Sequence, residues 1–397
     1  MDPTRLPVYE QKQRILDTLA ENQVIVVESP TGTGKTTQIP QILYEAGYTR
    51  SGIIGVTQPR RIAAVSVCEF IAKQLNKSVP EVIGYKMRFD DRTDLTTQIK
   101  IMTDGILLQE IKADYHLSRY SVIMVDEAHE RSLNIDFILG LLKRILKERP
   151  QFKVIISSAT INAEIFSEYF DECPIVKIDA KAYPVSTIYD PPRSESDYEA
   201  MQDKITDIVD RTVREKRDGD FLIFMPGVKA IKDCIQNLGE LKSSKRLELL
   251  PLYARLSSDE QEKVFQSYPG KSKVIVATNI AETSVTIDGI TTVIDPGLAK
   301  MNFYNKRTFT SSLIEVPISR ASCNQRKGRA GRTAPGSCYR LYTRKDYDDR
   351  PLFTTEEIFR TDLSEVVLRM AELGIKDFES FDFLSPVSYT HLTLPTN

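Results

Sequence analysis

The chain has 397 residues, 41% of them hydrophobic and 27% charged, which is too long for one compact core and predicts two or three domains. Lys and Arg total 53 against 55 Asp and Glu, a net charge near −2 that excludes a globally basic polyanion binder, so any nucleic-acid contact must come from local placement of Arg and Lys. Five scattered cysteines without a CxxC pair, three histidines and no apolar run of membrane-span length exclude a zinc cluster and predict a reduced, cytoplasmic protein with no membrane segment.

In chain order, β-branched runs at 24–27, 53–56, 99–102, 122–125 and 154–156 read as buried strands of a parallel sheet. Helical spacing at 38–46, 62–75 and 134–147 alternates with them. This predicts a doubly wound α/β domain over 1–180. Residues 190–198 are rich in Pro, Ser and Asp and read as turn and linker. A second alternation follows, with strands at 221–224, 247–252, 273–277 and 292–294 and helical patterns at 228–238 and 259–266. It predicts a second α/β domain over 181–350. One amphipathic pattern over 356–373 is read as the start of a third, mostly helical module at 351–386. Residues 387–397 lack periodicity and read as non-native or truncated sequence.

The first strand runs into Ser29-Pro-Thr-Gly-Thr-Gly-Lys-Thr-Thr37 and then into a helical pattern. Strand, glycine loop and helix form the context of a phosphate-binding loop. Gly32 and Gly34 allow backbone N–H groups to turn onto phosphate oxygens, and the helix N-terminus adds positive potential. Lys35 is expected at the β- and γ-phosphates and the Thr36 hydroxyl on Mg²⁺, with Thr31, Thr33 and Thr37 completing the cradle of an ATP or other NTP. The strict pattern opens with Gly where this loop has Ser29.

The apolar run 122–125 ends in Asp126-Glu-Ala-His-Glu-Arg131. A strand tip brings Asp126 to the same sheet edge as the phosphate loop. There it is expected to hold Mg²⁺, with Glu127 beside it as a further metal group that orients and deprotonates the attacking water. Taken alone, the string also suits a solvated acidic turn. Asp126-Glu-Ala-His129 matches the DEAH signature of superfamily 2 helicases, and six further motifs follow that family's pattern. Thr57-Gln-Pro-Arg-Arg61 resembles motif Ia, Thr103-Asp-Gly105 motif Ib and Ser158-Ala-Thr160 motif III. Phe224-Met-Pro-Gly227 resembles motif IV, the stretch from Ala277 to Asp288 motif V, and Gln325-Arg-Lys-Gly-Arg-Ala-Gly-Arg332 motif VI. Over about residues 6–386 the chain therefore resembles a DEAH-box RNA helicase, of the bacterial HrpA-like or eukaryotic splicing-factor kind.

The resemblance implies two tandem RecA-like P-loop domains followed by the start of a winged-helix module. It implies ATP-dependent 3′-to-5′ translocation by a monomer on single-stranded RNA, or DNA, with an activating protein partner. Gln325 is implied to position the nucleophilic water, and Arg329 and Arg332 to be arginine fingers; Arg326, Arg329 and Arg332 would share a helix face. A solvated basic helix or direct RNA-phosphate contact is the alternative for that face. Arg60, Arg61, Thr103, Gly105, Gly227 and Thr278 are implied to grip a phosphodiester backbone. Thr286 and Asp288 are implied at the nucleotide. Phe265 is implied to stack on the base, with Phe70 where the family often has Arg, although both phenylalanines suit core packing equally well. Thr160 is also a candidate helix N-cap. Residues 292–312 resemble a family hairpin that wedges at a duplex junction, with a plain surface hairpin as the alternative. The competing functions are an RNA-stimulated NTPase that remodels ribonucleoprotein without processive unwinding, and a truncated nucleic-acid-binding protein with little motor activity. Family members continue into further helical and OB-like domains, so a truncated chain that unwinds poorly is expected.

Overall fold

The computed structural model describes residues 6–30, 32–159, 162–180, 183–194, 197–215, 218–283, 287–305, 307–378 and 380–385. Thr31, Thr160, Thr286 and the tail 387–397 lie outside them. The described residues fall into two units, one of 6–180 with 355–385 and one of 183–354.

The first unit is built on eight strands: β1 (Val24–Glu28), β2 (Ile53–Gln58), β3 (Ile83–Met87), β4 (Asp90–Arg92), β5 (Ile99–Thr103), β6 (Tyr120–Val125), β7 (Lys153–Ser158) and β8 (Ile175–Lys177). Their order across the sheet is β4-β3-β5-β2-β6-β7-β1-β8. Neighbours are parallel except β3 and β4, an antiparallel pair at one edge. Successive residues enter opposite cores. Val24 and Val26 of β1, Ile123 and Val125 of β6, and Val154 and Ile156 of β7 pack on one face. Ile25 and Val27, Val122 and Met124, and Ile155 pack on the other. With helices on both faces neither can be polar, so the strands read as unbroken apolar runs. Each fully buried Val or Ile contributes about 1.5–3 kcal/mol. Among the described residues no helix is long and apolar enough to cross a membrane, and all five cysteines are buried as thiols.

The segment expected as a third module packs with this first unit. The amphipathic pattern over 356–373 divides into a 3₁₀ turn, Glu357–Phe359, and an α-helix, Ser364–Glu372. Asp362 accounts for the break: its carboxylate accepts from the Ser364 N–H at 3.1 Å and hydroxyl at 2.7 Å, a local bond that competes with helix. Ile358, Leu363, Val366, Met370, Phe381 and Phe383 lie in the same core as the helix Leu133–Glu148. Gly140 in that helix makes the room, since a Cβ there would come within 2.4 Å of the Phe381 ring.

The second unit carries β9 (Val185–Tyr189), β10 (Asp220–Phe224), β11 (Leu247–Leu252), β12 (Ser272–Ala277), β13 (Ile290–Asp295), β14 (Leu298–Asn305), β15 (Thr310–Pro317) and β16 (Gly336–Arg340). Six form a parallel sheet in the order β11-β12-β10-β13-β16-β9, while β14 and β15 make a separate antiparallel hairpin. The stretch expected as linker ends in a cap. Asp197 accepts from the N–H groups of Glu199 (2.9 Å) and Ala200 (3.4 Å) and starts a helix, Tyr198–Arg214, that buries Met201, Ile205, Ile208 and Val209.

Buried charge sets part of the stability of each unit. In the second, Arg326 is 1% exposed and donates to Glu282 (3.0 Å), Asp295 (2.8 Å) and the Leu298 carbonyl (3.2 Å), with its guanidinium over the Phe224 ring. Arg326→Ala leaves Asp295 buried without its counter-charge and should cost about 3–5 kcal/mol in urea unfolding of this unit. In the first, Asp104 follows β5 and is 5% exposed; burial, then the charges of Glu130 and Asp126, push its carboxyl up to about 7, with the Thr57 hydroxyl pulling the other way. A raised carboxyl pKa destabilises the fold above the unfolded value. The penalty is absent below about pH 4, grows as pH rises to 7 and is complete above it. Asp104→Asn should therefore stabilise the chain at pH 8, by up to roughly 4 kcal/mol, with the gain vanishing near pH 4 in urea titrations at the two pH values.

Candidate active site

The motif residues of the first unit sit at the C-terminal ends of parallel strands, where the crevices of such sheets lie. Across the sheet they run from Thr103 at the tip of β5, through Gln58 to Arg60 beyond β2 and Asp126 to Arg131 beyond β6, to Ser157 and Ser158 on β7 and the phosphate loop beyond β1. The DEAH turn thus stands between the residues expected on nucleic acid and those expected on nucleotide.

Both loop glycines are left-handed, with φ of 87° at Gly32 and 92° at Gly34. Lys35 is buried and donates its Nζ to the Ser29 carbonyl at 2.5 Å. The Ser29 hydroxyl lies 2.6 Å from that of Thr33, which also donates to the Pro30 carbonyl at 3.0 Å. The residue in place of the motif's first glycine therefore braces the loop from within. It also turns the Thr33 side chain inward, so Thr33 offers a ligand its main chain rather than its hydroxyl. The Thr37 hydroxyl donates to the Gly34 carbonyl at 3.4 Å.

Asp126, fully buried, is the meeting point. Thr36 Oγ1 and Gln58 Nε2 donate to its Oδ2 at 2.5 and 2.6 Å, and Ser157 Oγ donates to Oδ1 at 2.5 Å. The Thr36–Asp126 pair is a set of hard oxygens beside the phosphate loop. That donor chemistry fits Mg²⁺, which takes one or two carboxylates and fills its shell with water and phosphate oxygens.

β6 ends because Glu127 is left-handed (φ 53°). A one-turn 3₁₀ helix, Ala128–Glu130, follows, and Arg131 is again left-handed (φ 48°). Such backbone in a non-glycine residue costs roughly 1–3 kcal/mol and concentrates at working sites. His129 links the turn to β7: its Nδ1 accepts from the Ala159 N–H at 3.2 Å. That acceptor role assigns the proton to Nε2, which lies 3.4 Å from Glu127 Oε2. Burial pushes the imidazole down to about 4, so it is neutral at pH 7. On the other side Glu130 pairs with Arg60 at 3.3 Å, which occupies part of the guanidinium expected on RNA. Arg61 is exposed at the first turn of its helix, and a Cβ added at Gly105 would meet open space.

In the second unit the helix Arg320–Gly328 and the 3₁₀ turn Arg329–Gly331 carry motif VI. The shared face of Arg326 and Arg329 exists but turns inward. Arg329 is 3% exposed and donates its Nε to the Glu282 carbonyl at 2.9 Å, with Nη2 on the same oxygen. Gln325 and Arg332 are half-buried, Arg332 just beyond the turn. Thr278 and Gly227 follow β12 and β10, and Asp288 is exposed. Phe265, in the short turn Lys263–Phe265, is 45% exposed and Phe70 is 44% exposed, so neither is a core residue. The N-cap position ahead of the helix Ala163–Tyr169 is Asn162. Gln58, Ser157 and Arg131 carry the geometry without having been singled out. The signal present for Gln58 and Ser157 is a polar residue at the tip of an apolar strand.

A model of the DEAD/DEAH box helicases matches residues 9–167, and one of the helicase conserved C-terminal domain matches residues 200–334. The chain is 54% identical over 392 residues to the ATP-dependent RNA helicase HrpA of Borreliella burgdorferi, covering 98% of this chain and 47% of that protein. It is 48% identical over 384 residues to the HrpA helicase of Escherichia coli, covering 96% of this chain and 29% of that protein. The HrpA homolog of Haemophilus influenzae is 48% identical over 391 residues, with 98% and 30% covered. The chain thus spans about half the length of the first relative and less of the others. With both helicase domains in tandem, and with the phosphate loop, DEAH turn and motif VI in place, the chain belongs to the DEAD/DEAH box helicase family.

Proposed function

We propose that the chain hydrolyses ATP or another nucleoside triphosphate with Mg²⁺ and couples hydrolysis to 3′-to-5′ movement along single-stranded RNA. The observation that carries the reading is the contact of Thr36 with Asp126 beside the phosphate loop, on a chain whose relatives are named ATP-dependent RNA helicases. Gly32, Gly34 and Lys35 hold the phosphates through main-chain N–H groups and an ammonium. Thr36 and Asp126, with Glu127 beside them, would hold the metal, which would supply Lewis-acid stabilisation of the phosphates. Glu127 takes the proton of the attacking water, and Gln325 orients that water. Arg332 neutralises charge developing on the γ-phosphoryl. Arg329 braces the short helix Ile280–Thr283 through the Glu282 carbonyl. Exposed Phe265 and Phe70 offer faces to the base without reading its edges, which favours loose base selectivity.

Arg60, Arg61, Thr103, Gly105, Gly227 and Thr278 contact the RNA backbone and position it without reading sequence. The hairpin of β14 and β15, with Phe309, Leu313 and Ile314 exposed, parts a duplex. Residues 351–386 are the start of a winged-helix module.

The deciding experiment is the ATPase rate with and without single-stranded RNA and DNA. RNA should raise kcat; no stimulation by either polymer refutes the coupling. Lys35→Ala should abolish hydrolysis with the far-UV circular dichroism unchanged, and retained turnover refutes the site. Arg332→Ala should lower kcat roughly 10³-fold or more while nucleotide affinity stays within a fewfold, and equal losses in both would make it a ground-state contact. Strand separation on a 3′-tailed duplex distinguishes the helicase from an NTPase that only remodels ribonucleoprotein.

A further inference from the structure

The helix Leu133–Glu148 begins two residues after the DEAH turn, and the segment 355–385 is laid across the junction. Arg131, 7% exposed, is the centre of the arrangement. Its Nε and Nη2 donate to the two oxygens of Asp136 at 2.6 and 3.0 Å. Nη2 also donates to Ser385 Oγ at 2.7 Å, and Nη1 lies 3.5 Å from Glu356 Oε1. Glu357 closes the gap on the main chain. Its N–H donates to the Arg131 carbonyl at 3.3 Å, and its Oε2 accepts from the N–H of Leu133 at 2.8 Å. Leu133 is the first residue of the helix, where a carboxylate also meets the positive end of the helix dipole. Farther along, Lys143 pairs with Asp382 at 2.7 Å, the Tyr169 hydroxyl donates to the Asp382 carbonyl, and Phe381 rests on Gly140.

We infer that the segment 355–385 braces the catalytic turn, with Glu357 and Arg131 as positioning residues that hold Glu127 in its left-handed conformation. The turn is fixed in front by β6 and by the three donors on Asp126, and behind by Arg131 and Glu357. Loosening the rear lets Glu127 relax to an ordinary backbone conformation, which swings its carboxylate away from where a water would attack. Lys35 and Thr36 sit on another element, so nucleotide binding is left as it was. The kinetic side of the inference rests on the NTPase reading above; the backbone side does not.

The test compares Glu357→Ala with Glu357→Gln in the full chain, because Gln keeps an oxygen for the Leu133 N–H. Glu357→Ala should lower kcat about tenfold or more with KM for ATP within about twofold, and Glu357→Gln should restore most of the loss. Amide hydrogen exchange at 127–133 should speed up in the Ala variant and return toward the parent rate in the Gln variant. The brace is overturned by a lowered melting temperature with kcat and exchange at 127–133 unchanged, or by equal losses in both variants. Ser385→Ala, which removes one acceptor of Arg131, is read by the same criteria if Glu357→Ala does not fold. A parent chain without turnover refutes the NTPase reading, and the exchange rates still decide the brace.

Discussion

The Asp126 carboxylate is the constraint around which the first unit is arranged. Its three donors come from three elements: Thr36 from the helix after β1, Gln58 from the tip of β2 and Ser157 from β7. Bonds of about 2.5 Å to one buried group require those elements to be in register with β6, through pairs such as Thr57 with Val125 and Val125 with Ile156. A slip of one residue would carry each side chain to the opposite face. Parallel pairing then demands helical crossovers, the helices cover both faces, and the strands become apolar throughout.

The turn after Asp126 is tied sideways as well. Glu130 reaches Arg60 beyond β2, and His129 receives the Ala159 N–H beyond β7. A displacement of either neighbour is therefore felt by the same short turn. In the second unit the arginines divide their work: Arg326 and Arg329 both bind Glu282 and build the scaffold, while Arg332 lies past the end of the helical turn.

Much of this was legible in the sequence, for identifiable reasons. β1, β2, β5, β6 and β7 announce themselves because two-sided burial leaves no polar interruption, and the phosphate loop and DEAH string have fixed spacing. The helix Tyr198–Arg214 was hidden because its cap, Asp197, lies in a Ser- and Pro-rich stretch that reads as linker. Residues 356–373 misled for the opposite reason. Their apolar spacing suits a helix, but Asp362 binds locally and Glu357 is engaged by Arg131 and Leu133. The roles of Gln58 and Ser157 depend on contact between strands far apart in sequence, which spacing within one strand cannot express. The inward turn of Arg329 was likewise invisible, because periodicity gives a shared face without saying which way it looks.

The strand order has one further consequence, for how the site comes into being. β1 precedes the other strands of its sheet, yet its neighbours there are β7 and β8: Val24 pairs with Val154, and Val26 with Ile175. The phosphate loop therefore has no wall beside it until the chain has been made past residue 158, and Asp126 lacks its Ser157 donor until then. Long-range parallel pairing of this kind closes slowly. Nucleotide recognition therefore waits on strands that lie more than 120 residues beyond the one that begins it.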